Sequence, residues 1–183
     1  MTGHAHADHG GDKRVALLIA VLALFLSIIE TGAKSSQTEV ITQNVEAANL
    51  WAFFQARSIR QTTVRTAAEQ AELLKPGAPD PATVAQQKAW RDTAARWESE
   101  PATGEGRKEL ADRAKAAEGR RDLSLAKYHL YEYSAALFQV AIVIASASIV
   151  TSVPALALLG VVLGVVGVAL GGLGLWAPLA VHF

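Results

Sequence analysis

The hydrophobic pattern divides the chain into apolar ends and a charged middle. No residue carries a charge from 134 to 153, or again from 154 to 176, and Pro154 stands between these two runs. Each run has about 20 residues, enough for a helix to cross the ~30 Å of hydrocarbon in a bilayer. Because Pro154 cannot continue a helix and restricts Val153, we expect a hairpin of two transmembrane helices, 134–153 and 154–177.

A third apolar run follows Lys13 and Arg14 near the beginning of the chain. It imitates a signal peptide, but Glu30 stands where the small-residue cleavage site should begin, so we expect an uncleaved transmembrane helix at 13–33. Small side chains on one face let another helix approach closely in lipid. In this helix the predicted helix-packing residues are Ala16, Ala20, Ala23 and Ser27.

The charged middle, 34–127, is predicted to be a helical hairpin stalk. Prolines and glycines interrupt it at 75–81 and 100–106, which leaves helices at about 34–75, 83–99 and 107–133. Two apolar seams run along the first of these helices, and each suits packing against a second helix. One seam contains Ile41, Val45, Ala48 and Ala52 and continues through Ile59, and the other contains Ala47, Trp51 and Phe54. The predicted stalk-packing residues are Trp51, Phe54, Ile59, Trp90 and Trp97.

The predicted fold class is therefore an all-α membrane protein. It has three transmembrane helices and a long, coiled-coil-like helical hairpin as a soluble insert between the first and the second. The last transmembrane helix carries glycines at steps of 4, 3, 4 and 3. Helix propensity gives glycines no reason to share a face, so this stripe predicts close helix packing, within the chain or between copies. It consists of Gly160, Gly164, Gly167, Gly171 and Gly174.

Ionisable residues gather where the apolar runs meet the charged middle. Glu30 and Lys34 end the first membrane helix, and His129 and Glu132 precede the second beside a cluster of three tyrosines. An acid at membrane depth is a candidate for proton or ion chemistry. The alternative is that these four residues form a polar cluster that only anchors the helices at the membrane interface.

The amino-terminal tail, 1–12, is predicted to be disordered and is rich in histidine. Its imidazoles, on His4, His6 and His9, suit a weak metal site for zinc, copper or nickel. If Met1 were removed, Thr2, Gly3 and His4 would also offer a square-planar set of nitrogens.

Composition excludes several classes of function. With 17 basic and 17 acidic residues the formal net charge is zero, so no field directs the chain to nucleic acid. The chain has no cysteine, which removes thiolate metal sites and cysteine nucleophiles. We find no phosphate-binding loop, metalloprotease motif or nucleotide fingerprint. We therefore expect no catalytic residues, no enzyme activity and no cofactor.

Three segments resemble a known family. They are 51–60 (WAFFQARSIR), 128–133 (YHLYEY) and 137–146 (LFQVAIVIAS), and they resemble the bacterial domain-of-unknown-function family numbered 4337. The histidine-rich start, early membrane helix and late hairpin are similar to that family as well. The resemblance implies an uncharacterised three-helix protein of the bacterial inner membrane and supplies no activity.

The leading functional hypothesis is a scaffold or accessory subunit that acts through helix association. Its expected partners are the lipid bilayer and either further copies, in a homo-oligomer, or another membrane protein. The alternative is a small oligomeric ion or proton channel, or a metal-responsive membrane protein. Basic residues near the membrane ends of the stalk favour a cytoplasmic stalk.

Overall fold

The computed structural model describes residues 9–74 and 80–180, with only the backbone described for 9–12. These residues form helices α1 (His9–Leu73), α2 (Pro81–Glu98), α3 (Arg107–Thr151) and α4 (Pro154–Trp176), followed by a 3-10 turn at Pro178–Ala180. The described part of the chain contains no strand, so the predicted all-helical fold is confirmed. Three of these helices, α1 from Lys13 onward, α3 and α4, are long and apolar enough to cross a membrane.

The helix ends follow from local chemistry. Asp80 precedes α2, and its carboxylate accepts a hydrogen bond from the backbone N–H of Thr83 at 2.9 Å, while Pro81 takes the first helical position, where no N–H is needed. Between α3 and α4, Ser152 has a φ of 56°, in the left-handed region, and Pro154 then begins α4. Asp80 and Pro81 therefore fix the start of α2, and Ser152 and Pro154 separate α3 from α4.

Two helices are longer than the sequence-based segments. The boundaries predicted at 33/34 and 133/134 fall inside α1 and α3, and α1 already begins at His9 rather than at residue 13. No proline or glycine occurs from 34 to 74, so nothing in the sequence ends the helix there. The change from apolar to polar residues changes what surrounds a helix without ending it.

The chain divides into two compact units. The terminal unit comprises Met1–Val40 and Asp122–Phe183, and the middle unit comprises Ile41–Arg121. In the terminal unit the buried core contains Leu22, Phe138 and Ala141, whereas the middle unit has a separate core, built by α1 and α3. The buried residues of that second core are Ala47, Leu50, Leu110, Ala114 and Ala117.

Candidate functional site

The glycine stripe of α4 is a contact face inside the terminal unit. All five glycines are buried. A Cβ added at Gly160 would lie 3.1 Å from the backbone oxygen of Ala141, and one at Gly167 would lie 3.2 Å from the ring of Phe138. A Cβ at Gly174 would lie 3.0 Å from the ring of Tyr131. Since all three neighbours belong to α3, the missing side chains let α4 lie directly against that helix.

α1 contacts the same stripe with large side chains. A Cβ added at Gly164 would lie 2.6 Å from Leu22, and one at Gly171 would lie 2.6 Å from Ile29. Leu22 and Ile29 are seven residues apart, as are the two glycines, so two turns of each helix repeat the same contact. The ring of Phe25 also stacks on Phe138 with centroids 5.9 Å apart. α1 therefore inserts large residues into the spaces that glycine leaves on α4.

The small residues of α1 face the other way. Ala16, Ala20, Ala23 and Ser27 are all exposed, whereas Leu22 is buried and Leu18 and Ile29 are half-buried. The predicted packing stripe of α1 is thus not the face that α1 uses within this chain. The physical reason is complementarity of size: a glycine face has space for leucine and isoleucine, and small residues placed against it would leave cavities.

A buried hydrogen bond joins α3 to α4. The Ser134 hydroxyl donates to the backbone oxygen of Gly167 at 2.7 Å, and Ser134 is fully buried. The helix backbone is close enough for this bond because Gly167 has no side chain. Ser134 therefore fixes the axial position of α3 against α4.

The structure brings together two of the four predicted polar-cluster residues. His129 Nδ1 lies 3.8 Å from a carboxylate oxygen of Glu132, and the Tyr128 hydroxyl donates to Glu132 at 3.4 Å. Glu30 instead accepts a hydrogen bond from the Gln139 amide at 3.4 Å, across from α1 to α3, and both side chains are exposed. The Lys34 side chain is exposed as well. These residues lie on the surface of the terminal unit.

The open space between α1, α3 and α4 is apolar. A groove of about 630 Å³ runs beside Phe25, Ile29 and Phe138, with Tyr131 and Trp176 also on its wall. Its wall is almost wholly apolar, because aliphatic and aromatic side chains make up most of the lining. None of the polar-cluster residues lines this groove. Its chemistry suits lipid chains or another apolar surface better than an ion.

The predicted stalk residues are divided between packed and open positions. Trp51 donates its indole N–H to a Glu118 carboxylate oxygen at 2.8 Å, and its ring meets the edge of Phe54 at 5.4 Å between centroids. Both residues pack on the middle-unit core. Ile59 is exposed over 69% of its surface. On α2, Trp90 and Trp97 are half-buried beside the buried Ala94.

A charged network fastens α2 and the start of α3 to α1. The Arg107 guanidinium donates to Gln61 at 2.7 Å and to Glu98 at 2.9 Å, and lies 5.0 Å from the centroid of the Phe54 ring. Gln61 in turn donates to the backbone oxygen of Ala94 and to Glu98. The hydrogen bond from Gln61, and after it the charge of Arg107, holds the pKa of Glu98 below its ordinary value.

The loop before α3 is held by a second carboxylate. Glu109 accepts hydrogen bonds from the Ser99 hydroxyl at 2.6 Å and from the backbone N–H of Glu100 at 3.2 Å. These bonds, the Ser99 hydroxyl first, lower the pKa of Glu109. The network around Arg107 was not predicted from the sequence because Gln61 lies 37 residues from Glu98 and 46 from Arg107, and nothing in this spacing indicates contact.

The predicted metal site lies largely outside the described residues. His4 and His6 fall there, and only the backbone of His9 is described. Within residues 9–74 and 80–180, no group of three histidine, aspartate or glutamate side chains is placed to hold a metal ion. The candidate site supported by geometry is thus a set of helix-packing faces.

Comparison with known proteins gives one family. The family model described as "Domain of unknown function (DUF4337)" matches residues 11–177, which is most of the chain. Searches of the curated proteins and of the solved structures found no match.

Proposed function

The chain belongs to the DUF4337 family, a family of domains of unknown function, and we propose that it is a membrane protein that acts by helix association, as a scaffold or accessory subunit. In this proposal α1, α3 and α4 each cross the bilayer of a bacterial inner membrane. The middle unit, Ile41–Arg121, is the soluble helical insert between the first and second crossings. It presents helix faces rather than a catalytic site.

One observation carries the proposal, namely how little of the first apolar helix is covered. In its most apolar stretch 6% of the residues are buried, against 33% in α3 and 22% in α4. Leu22 is the buried contact of that stretch, and the face away from it carries the exposed small residues Ala16, Ala20, Ala23 and Ser27. Helices in lipid associate by close packing and polar contacts, so such a face suits a helix of another chain.

The test is the mass of the full chain in nanodiscs, measured together with the identity of proteins that co-purify from native membranes. We expect a homo-oligomer or a stoichiometric complex with another membrane protein. Ala20→Leu should reduce the association by filling the small-residue face. The control is Val21→Leu, at an exposed position one residue on and about 100° around the helix, which should leave the association unchanged. A monomer without a partner would contradict the proposal.

The orientation we propose places the middle unit in the cytoplasm. Basic residues near the membrane ends of this region support it, among them Lys34, Arg120, Arg121 and Lys127. Because the chain has no cysteine, a Lys88→Cys variant would carry a single thiol on an exposed position of α2. A membrane-impermeant maleimide should label it in inverted vesicles and leave it unlabelled in intact spheroplasts. The reverse pattern would place the middle unit outside.

A further inference from the structure

A face of α1 in the middle unit is apolar but uncovered. Ile41, Val45 and Ile59 are exposed over 59%, 53% and 69% of their surfaces, and Ala48 and Ala52 between them are exposed as well. Ile41, Val45, Ala48 and Ala52 follow at steps of 4, 3 and 4. The same spacing continues through Gln55 to Ile59, so Gln55 is the one polar residue in the series. This is the a/d spacing of a helix that packs along a second helix. We call these five apolar residues the outer seam.

The partner helices within the chain use a different face. α3 packs on Ala47 and Leu50 through Leu110, Ala114 and Ala117. α2 is fastened further along α1, where Gln61 donates to the backbone oxygen of Ala94. Ala47 and Leu50 point away from the outer seam because a step of one residue turns a helix by about 100°. Among the described residues, no element covers the outer seam, which leaves it open to a helix of another chain.

We propose that the outer seam binds the outer seam of a second copy of this chain, as a parallel helix pair in register; this rests on the proposed function and names its partner. The residues that flank the seam support a second copy. In the e and g positions of such a pair stand Thr42, Asn44, Asn49, Ala56 and Ser58, with Trp51 turned inward to its own α3. None of them is charged, so two identical helices meet no like-charge repulsion.

The centre of the seam allows a close approach. Ala48 and Ala52 are successive seam positions, and small side chains there let two helix axes come toward the short end of the usual 8–10 Å separation. The larger Ile41, Val45 and Ile59 then close the two ends of the contact. The arrangement is self-complementary about a two-fold axis that runs between the helices.

The outer seam is short, and insertion in a membrane should favour its pairing. From Ile41 to Ile59 a helix rises about 27 Å, or roughly two and a half heptads, fewer than the three to four that an isolated coiled coil uses. Copies inserted in one bilayer share one orientation, which makes the parallel pair available and raises the local concentration of the second seam. The pair is therefore expected from the full chain in a membrane.

Single cysteines test the contact because the natural chain has none. Ile59→Cys places a thiol in the seam, and the matched control Arg60→Cys places one on the next residue, about 100° around the helix. Ala52→Cys, in the seam, and its control Phe53→Cys repeat the comparison about two helical turns earlier. In nanodiscs treated with copper phenanthroline, we expect at least about tenfold more disulfide-linked dimer from each seam variant than from its control, because thiols bridge only when their Cα atoms come within about 7 Å.

A charge in the seam tests whether the apolar contact drives the pairing. Val45→Glu in the Ala52→Cys background places a glutamate opposite the same glutamate of the second copy, so dimer yield should fall about tenfold. Arg60→Glu in the same background should leave the yield unchanged. Val45 is exposed, so both variants should retain the helical circular-dichroism signal of the parent chain.

The outcomes separate this inference from the proposed function. An oligomer or a complex in nanodiscs, combined with equal cross-linking at seam and control positions, overturns the outer-seam pairing and leaves the proposed function standing. A different protein that binds the parent chain and is lost on Val45→Glu also overturns pairing with a second copy. A monomer without a partner overturns both.

Discussion

At the scale of single residues, the value of a small side chain depends on what lies opposite it. Gly164 and Gly171 face Leu22 and Ile29, so the glycines supply space and the larger residues fill it. Ala16 and Ala20 lie on the exposed side of α1, where the described chain offers no residue to fill the space they leave. Periodicity identifies both stripes, but the size of the opposite residue decides which of them packs.

Gly160 should be the glycine of α4 least able to accept a side chain. Its added Cβ would meet the backbone oxygen of Ala141 and the Cβ of Ala145, which cannot rotate away. Gly160→Val should lower the free energy of unfolding by about 1–3 kcal/mol through overpacking. Gly172→Val is the matched control, since the nearest atom to its Cβ is 3.9 Å away on Trp176. Denaturation in mild detergent compares the two, and equal losses would mean that α3 does not pack closely on Gly160.

The Ser134 hydrogen bond should contribute a measurable part of the contact between α3 and α4. Ser134→Ala removes the bond to Gly167, and hydrogen bonds between membrane helices average about 0.6 kcal/mol. Ser146→Ala removes a hydroxyl that bonds only within its own helix, to the oxygen of Ile142. The difference in unfolding free energy between the two variants isolates the interhelical bond. No difference would show that Ser134 contributes only its volume.

At the scale of elements, prolines and composition predict most of the fold. Pro81 and Pro154 begin α2 and α4, and the absence of proline and glycine from 34 to 74 agrees with a continuous α1. The contact faces are harder to predict, because α1 carries more than one apolar seam and a single sequence does not say which meets α3. The contacts of Gln61 and Arg107 likewise depend on how the helices fold back, which local spacing does not encode.

Attachment of α2 should weaken in acid. The pKa of Glu98 is lower in the folded chain than its ordinary value of 4.5, so its stabilising effect is complete above that pH and is lost as the pH falls through the folded-state pKa. The Glu98 side chain is partly exposed, which limits the contribution to about 1 kcal/mol or less. Amide hydrogen exchange of residues 81–98 from about pH 6 to about pH 3, after correction for the intrinsic rate, measures the change.

Glu98→Gln is the variant that assigns this acid effect. It should remove part of the loss of protection, and the remainder is expected from Glu109, whose pKa is lowered by Ser99 and which therefore acts in the same direction. Glu72→Gln is the control, since Glu72 also joins α1 to α2, through Arg91, but as an exposed ion pair, which contributes little to stability. If Glu98→Gln left the acid profile unchanged, the network around Arg107 would not hold α2.

At the scale of the whole molecule, two separate cores share two continuous helices. α1 and α3 each contribute to both units, but the core around Phe138 has no residue in common with the core around Leu110. In many proteins such cores open as separate cooperative units, each with its own free energy. Helix continuity alone transmits little stability, because isolated helical segments are marginal in water.

Core substitutions should therefore act locally. Leu110→Ala removes a side chain with 1% of its surface exposed and should lower the opening free energy of residues 41–121 by about 2–5 kcal/mol. Phe138→Ala should lower the opening free energy of residues 122–176 and of the beginning of α1 by about 3–5 kcal/mol. Hydrogen exchange of the full chain in nanodiscs resolves the two regions. Each variant serves as the control for the other. If either variant lowered protection equally in both regions, the two cores would unfold as one unit, coupled through α1 and α3.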